Sequence, residues 1–281
     1  MVESGHVPPI RQMTYQPPGG APAQVETMSF QRLRQLDRGT TQRGNFHVLA
    51  LVERGEGAVT IDFSPQPLAS GDVAWIGPGV VHRWIDIAHL DGDLVLFTST
   101  APATATARQL ASVPGIAAAW PAREPPRPLV AAALHHLRLE STTAIAALDP
   151  AFDVLGCLLS VLLARTDPPA SVVPRGNETF RRFQDAVEAD LAHRHDAGHY
   201  ARVLGCSART LSRAAQPATG RSAKDYIDER LVLEAKRLLV HDRLSAAQCS
   251  TRLGFPDPSA FSAFFHRETG SRPGAWRDGH T

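Results

Sequence analysis

Residues 245–266 read SAAQCSTRLGFPDPSAFSAFFH, and almost every position in this run marks a boundary or a face. Ser245 can cap a short helix over 246–252, because its hydroxyl accepts from an amide that the first turn leaves free. Leu253-Gly254-Phe255 supplies a turn with Gly where positive φ is needed. Asp257-Pro258 then opens another helix: Asp accepts from the first-turn amides, and Pro at the first helical position gives up no bond the helix requires. Phe261, Phe264 and Phe265 fall at spacings of three and four and form one buried stripe, leaving Ser259, Ala260, Ser262 and Ala263 on an outward face. Two helices joined by such a turn, the second with a face of small residues, suit insertion into a DNA groove.

The same grammar stands upstream. Tyr200, Ala201 and Leu204 mark a supporting helix, Gly205 the turn, and Ser207 the cap of the next helix. Leu211, Ala214 and Ala215 point inward, while Arg209, Ser212, Arg213 and Gln216 share the opposite side and put two guanidiniums on one exposed face. An Arg fork can pair bidentately with O6 and N7 of guanine or clamp a phosphate. Between the units, Ser222 and Asp225 approximate a capping box, and Ile227, Leu231, Ala235 and Leu238 stripe one face of a long helix. Two heads held rigidly by that helix would suit successive major grooves, about 34 Å or about 10 base pairs apart. One such unit is weak evidence; two in this order with this connector are far more specific.

From Phe180 to Arg277 the chain resembles the AraC/XylS-type transcription regulators. The resemblance is carried by ARVLGCS at 201–207, TLSR at 210–213, Thr219-Gly220 and residues 230–239. Its closing series is Leu253-Gly254-Phe255, Ser259, Phe261-Ser262, Phe264-Phe265, Gly270, Pro273 and Trp276-Arg277. It implies two helix-turn-helix units on double-stranded promoter DNA, with Pro258, Ser259, Ala260, Ala263 and His266 as the second unit's contact face. It also implies a homodimer, a small-molecule effector and, for an activator, RNA polymerase as partner. This chain departs from the family pattern at several positions. Ala263 stands where a basic residue is usual and His266 where Lys is usual, Cys249-Ser250 replace Ile-Ala, and Ala215 replaces a larger apolar residue. Pro217 is expected to truncate the first recognition helix. These departures assign most of the specificity to Arg209 and Arg213 and leave the second unit to grip phosphate.

Charge fits without deciding. The 281 residues carry a net +1, with 16 Arg and Lys against 13 Asp and Glu in 178–281, and 13 against 15 in 1–177. So mild a basic footprint argues against binding through a large positive field and for placed arginines and helix N-termini. Arg182 and Arg194 read as solvated surface residues. No apolar run reaches membrane-spanning length, and residues 1–20 hold Pro, Gly and Gln where a signal peptide needs an apolar segment, so a cytoplasmic protein without membrane contact is expected. Cys157, Cys206 and Cys249 fall in expected helices at no ligand spacing and read as small core residues rather than zinc ligands or disulfide partners.

The length allows two domains. Residues 167–177, with Asp167-Pro168-Pro169 and Pro174-Arg175-Gly176, interrupt helical periodicity and read as a linker before the 178–281 domain. Within 26–100, alternating segments from about Phe46 to Thr98 are divided by turns at 54–57, 70–72 and 77–79, which points to a small antiparallel barrel or jelly roll. Gly71-Asp72-Val73-Ala74-Trp75-Ile76 followed by Pro78-Gly79-Val80-Val81-His82 resembles the second half of a cupin motif, as in the sensor half of the same regulators. The fold class is therefore α+β: a cupin-like barrel with flanking helices, then an all-α domain with two helix-turn-helix units.

Two readings of the barrel stand side by side. If the faces carrying His47, Leu49 and Leu51, and His82, Trp84 and Asp86, line the interior, with Trp75 closing a wall, an apolar and aromatic effector pocket results. Otherwise Trp75 and Trp84 fill the barrel, and His82 is a structural hydrogen bonder. A metal-dependent cupin enzyme with a helical appendage is the alternative function. It would need a cluster of His with a carboxylate, whereas the chain offers His47, a remote Glu53 and His82; no metal, cofactor or catalytic residue is therefore expected. A protein binding DNA by shape alone is a third reading, disfavoured by the near-neutral charge. Residues 101–166 are read as an irregular crossover through Pro128, then two helices, 129–147 and 153–165. Leu155, Leu159 and Leu162, with Leu158, Val161 and Leu163, make the second apolar nearly all round, so it must be covered by a second copy or within the chain. Residues 1–25 read as a flexible arm.

Overall fold

A computed structural model describes residues 11–14, 25–37, 39–113, 116–121, 127–143, 149–166, 168–169 and 178–280. These fall into two compact units, one within 11–173 and one within 174–281. The 1–25 arm lies outside the described residues apart from 11–14 and 25, and the 167–177 linker apart from 168 and 169.

The first unit is built on two five-stranded sheets. One runs β1 (Arg11–Met13), β3 (Gln42–Gly44), β8 (Val81–Ile85), β5 (Glu56–Ile61), β6 (Ser64–Ala69); the other runs β10 (Ala117–Pro121), β7 (Asp72–Ile76), β4 (His47–Arg54), β9 (Asp91–Phe97), β2 (Val25–Ser29). Pairing is antiparallel except between β1 and β3. Asp62 and Phe63, at φ 44° and 72°, form the two-residue turn that joins β5 to β6, and Asp62 is held there by its backbone amide donating to the Val81 carbonyl at 2.9 Å. Strand β6 tolerates Pro65 and Pro67 because it is an edge strand, where a missing donor costs no ladder bond and discourages further pairing.

In the second sheet one parity decides everything. Val48, Ala50, Ala74, Ile76, Leu94 and Leu96 face inward, where Val59, Ile61, Trp84 and, from α1 (Phe30–Leu36), Phe30 and Leu33 complete one core. Leu49, Leu51, Val73, Trp75, Val95 and Phe97 face outward into a second core, with Ala107 and Ala111 of α2 (Ala105–Ala111), Val130, Leu134 and Leu137 of α3 (Arg127–Thr143), and Leu155, Leu159, Leu162 and Leu163 of α4 (Asp149–Thr166). Both faces of β4 are thus covered, and His47 through Val52 are all buried. The stretch 101–128, expected to be irregular, holds α2 and β10 instead: Thr104 caps α2, and β10 extends the sheet beside β7. The apolar face of α4 is covered within the chain, leaving Val154 and Val161 exposed on α4 and Leu129 and Leu139 on α3.

The second unit comprises α5 (Glu178–Asp190), α6 (Ala197–Val203), α7 (Ala208–Thr219), α8 (Ala223–Val240), α9 (Ala246–Arg252), α10 (Pro258–Thr269) and α11 (Pro273–Asp278). One core joins them, with Phe180, Phe183, Tyr200, Leu211, Ile227, Leu231, Leu238, Phe261 and Phe265 inside it.

Candidate nucleic-acid interface and ligand pocket

The helical unit repeats one local design twice. Gly205 and Gly254 take φ of 67° and 68°, and the residue after each Gly donates five residues back: Cys206 to the Ala201 carbonyl and Phe255 to the Ser250 carbonyl, both at 2.9 Å. The next helices, α7 and α10, are each 12 residues long. Ser207 Oγ accepts from the Thr210 amide at 3.1 Å, and Asp257 Oδ1 from the Ala260 amide at 2.8 Å. Each helix ends on a left-handed Gly, Gly220 or Gly270, whose amide donates to the Gln216 or His266 carbonyl at 2.8 Å. Two capping boxes, Ser222 with Asp225 and Ser245 with Gln248, start α8 and α9. These satisfy amides a helix start would otherwise expose, each cap contributing about 1 kcal/mol.

The structure sorts the predicted contact residues on α7. Arg209 and Arg213 are exposed, one turn apart, and neither side chain has a protein partner among the described residues. Ser212 and Gln216 do not join them as free reading groups. Ser212 is half-buried, and its Oγ accepts from the Ala223 amide at 3.3 Å, steadying the start of α8; Gln216 Nε2 donates to the Gly220 carbonyl at 2.9 Å and closes the end of α7. Pro217, expected to truncate α7, lies inside it, and the helix runs on to Thr219. In this last turn Pro forfeits one bond, to the carbonyl four residues back, and its ring is exposed, so the loss falls where water can replace it. On α10, Pro258, Ser259, Ala263 and His266 are exposed and Ala260 half-buried, opposite buried Phe261, Phe264 and Phe265. Of the cysteines, Cys249 is buried in the helical core, where burial pushes its thiol up to about 11; Cys206, half-buried in the turn after α6, packs against the same core, and Cys157 is exposed.

In the barrel the expected pocket residues separate. His47, Leu49, Leu51 and Trp75 do not line the interior; they sit on the outer face of the second sheet, under α3 and α4. The reason is the period of two: residues 47, 49 and 51 do share a face, but β4 is apolar on both faces, so its sequence does not say which one turns inward. His47 is a structural hydrogen bonder. Trp75 Nε1 donates to its Nδ1 at 3.1 Å, which leaves the proton on Nε2, 3.0 Å from Ser99 Oγ, while the ring stacks on Phe97 at 4.7 Å. Burial pushes its pKa down to about 4, with the Ala111 backbone offsetting only part.

His82 and Trp84 do face inward, whereas Asp86, past the end of β8 at φ 52°, is exposed. They border a cavity of about 140 Å³. Its walls are Met13, Met28, Leu33, Leu36, Phe46, Val48, Leu94 and Leu96, with Arg11, Asp37 and Gln42 as the other polar members. The sequence reading missed the even-numbered β4 and β9 positions and the contributions of β1 and α1. His82 is 2% exposed, and among the described residues neither ring nitrogen has a partner at good hydrogen-bond geometry. Burial pushes it down to about 4, the Val80 backbone and the Asp62 charge opposing weakly, so the ring is neutral near pH 7. Gln42, by contrast, is engaged: its Nε2 donates to Asp37 Oδ1 at 3.0 Å.

Among the described residues, no three His, Cys, Asp or Glu side chains gather where a metal ion could sit, and no helix is long and apolar enough to cross a membrane.

The family described as AraC-like ligand binding domain matches residues 24–149, and a helix-turn-helix domain family matches residues 200–279. The chain is similar to the HTH-type transcriptional activator RhaR of Escherichia coli O139:H28 (strain E24377A / ETEC), 25% identical over 240 residues that cover 83% of this chain and 85% of that protein. Among solved structures it is similar to ToxT from Vibrio cholerae O395, at TM-score 0.42 and 11% identity over 92% of this chain and 98% of that one. The DNA-binding domain of AdpA, solved with a target DNA, matches at TM-score 0.34 and 27% identity, covering 37% of this chain and 93% of that one. The first match spans α1 and, apart from β1, the strands that line the barrel cavity, and the second spans both helix-turn-helix units: the chain joins an AraC-like ligand-binding domain to a C-terminal helix-turn-helix DNA-binding domain, the two-domain plan of an AraC-type transcriptional regulator.

Proposed function

We propose that Arg209 and Arg213 supply most of the base reading, that α10 holds phosphate through its N-terminus and His266, and that a small effector in the barrel controls how two copies address paired half-sites. The observation that carries this reading is the pair of exposed, unpartnered guanidiniums on α7, on a helix whose other polar side chains are tied down by caps. The exposed Leu129, Leu139, Val154 and Val161 support α3 and α4 as the surface on which two copies meet. RNA polymerase is a partner if the regulator activates. The protein acts in the cytoplasm, where its DNA is, and without chemistry of its own. The effector must favour one arrangement of the two DNA-binding units over the other, since equal affinity for both would shift nothing.

Selection of genomic DNA by the full chain, in parallel with an Arg209→Ala/Arg213→Ala variant at near-physiological salt, tests the base reading. Enrichment of one motif that the variant loses is expected, with each bidentate contact to guanine accounting for about 1 to 3 kcal/mol. A uniform weakening across all sequences would move both arginines to phosphate and refute the assignment. A ligand that binds the barrel yet leaves DNA affinity, half-site spacing and transcription unchanged would remove the control mechanism.

A further inference from the structure

We propose that the barrel cavity takes a compact, largely apolar monocyclic molecule bearing a single hydroxyl, phenol-like in size, whose hydroxyl hydrogen-bonds a ring nitrogen of His82. This rests on the reading that the effector occupies the barrel. Volume sets the size: about 140 Å³ is close to the roughly 150 Å³ of an engineered apolar cavity that takes up benzene.

Chemistry sets the class. The wall is mostly Met, Leu, Phe, Val and Trp carbon, and Phe30 packs edge-on against Trp84 at 5.8 Å to back it. Into this apolar wall His82 brings two buried nitrogens, neither with a partner at good hydrogen-bond geometry among the described residues and only the Val80 backbone close enough to act on the ring, and buried polar groups left so are costly enough that nearly all find one. A neutral imidazole offers one donor and one acceptor, which a hydroxyl can meet from either side.

A monosaccharide would bring several hydroxyls, but Gln42 is already committed to Asp37, and the remaining lining cannot satisfy them. A carboxylate would bury a charge beside a neutral ring. Among the described residues the one cationic side chain of the lining, Arg11, is exposed on β1 rather than enclosed with the ligand. One polar group on an apolar body is what the site can fully satisfy.

Calorimetric titration of the full-length protein with phenol, benzene, benzoate and xylose tests this, alongside His82→Leu and Leu33→Phe, the latter filling the cavity from the α1 side. Phenol is expected to bind about tenfold more tightly than benzene, the gain of one buried hydrogen bond, with benzoate and xylose weaker than both. His82→Leu should bind phenol and benzene equally, and Leu33→Phe should bind neither. Equal affinity of the wild-type protein for phenol and benzene overturns the role of His82. Preference for benzoate or xylose overturns the ligand class. No binding by any probe, with the genomic motif still selected, removes this inference and leaves the regulator reading standing; phenol binding untouched by Leu33→Phe removes the barrel as the site.

Discussion

Two imidazoles buried in one domain should make that domain's stability depend on pH in a range where few other groups titrate. His47 and His82 are pushed down to about 4, in each case mainly by burial, while in the unfolded chain each returns to about 6.5. The unfolded state therefore binds more protons between these values, so the stabilisation is complete above about pH 6.5 and is lost as pH falls toward about 4. From about pH 7.5 to about pH 5.5, each ring should cost about 1.3 kcal/mol and the pair about 2.7 kcal/mol, by linkage over that interval. Glu26 and Asp93, whose carboxyls burial raises, act in the opposite direction at lower pH, and stopping at about pH 5.5 limits their share. The assay is urea unfolding followed by tryptophan emission, in which Trp75, Trp84 and Trp120 report the barrel domain. His82→Leu should remove about half of the pH dependence. A stability flat to within about 0.5 kcal/mol across the interval, or a slope unchanged in His82→Leu, would refute the attribution to these rings.

Other substitutions separate neighbouring roles. Gly254→Ala should destabilise the helical unit by more than about 2 kcal/mol, because the new Cβ would lie 2.6 Å from the Ala192 carbonyl oxygen at a backbone φ of 68°, whereas Gly205→Ala, at φ 67° with nothing within 4 Å, should cost only about 1 kcal/mol. Equal losses by circular dichroism melts would show that backbone conformation alone matters at both turns. Ser212→Ala should cost about 1 kcal/mol through the start of α8 and leave the selected DNA motif unchanged; an altered motif would return Ser212 to the reading face.

The helical domain was legible residue by residue because its instructions are local. Caps, a positive-φ Gly and a three-four spacing of Phe each act within a turn or two, and α9 and α10 begin and end where Ser245, Leu253, Asp257 and Gly270 place them. Pro217 was misread since a Pro in a final, exposed turn does not break what is already wound. The roles of Ser212 and Gln216 were hidden for another reason: their partners, Ala223 and Gly220, are set by where the chain turns back, which spacing along α7 does not encode. The barrel was legible as strands and turns, but the identity of its pocket was not. A strand covered on both faces carries no alternation of polarity, so His47 and Trp75 looked as suited to the interior as Val48 and Ile76. Likewise α2 and β10 lie in an Ala- and Pro-rich stretch whose order comes from docking on β7 and α4.

That doubly covered sheet carries two alphabets on one set of backbones. Along β4, β7 and β9 the even-numbered positions spell the inner core, with Val48, Leu94 and Leu96 reaching the cavity, and the odd-numbered ones spell the seat of the helices. Either text can be rewritten by substitution without editing the other, so new ligand chemistry can be tried at Val48, Leu94 or Leu96 while the helix seat stays as it was. Insertion or deletion of one residue within β4 has no such freedom: downstream of it, both messages would be transposed at once.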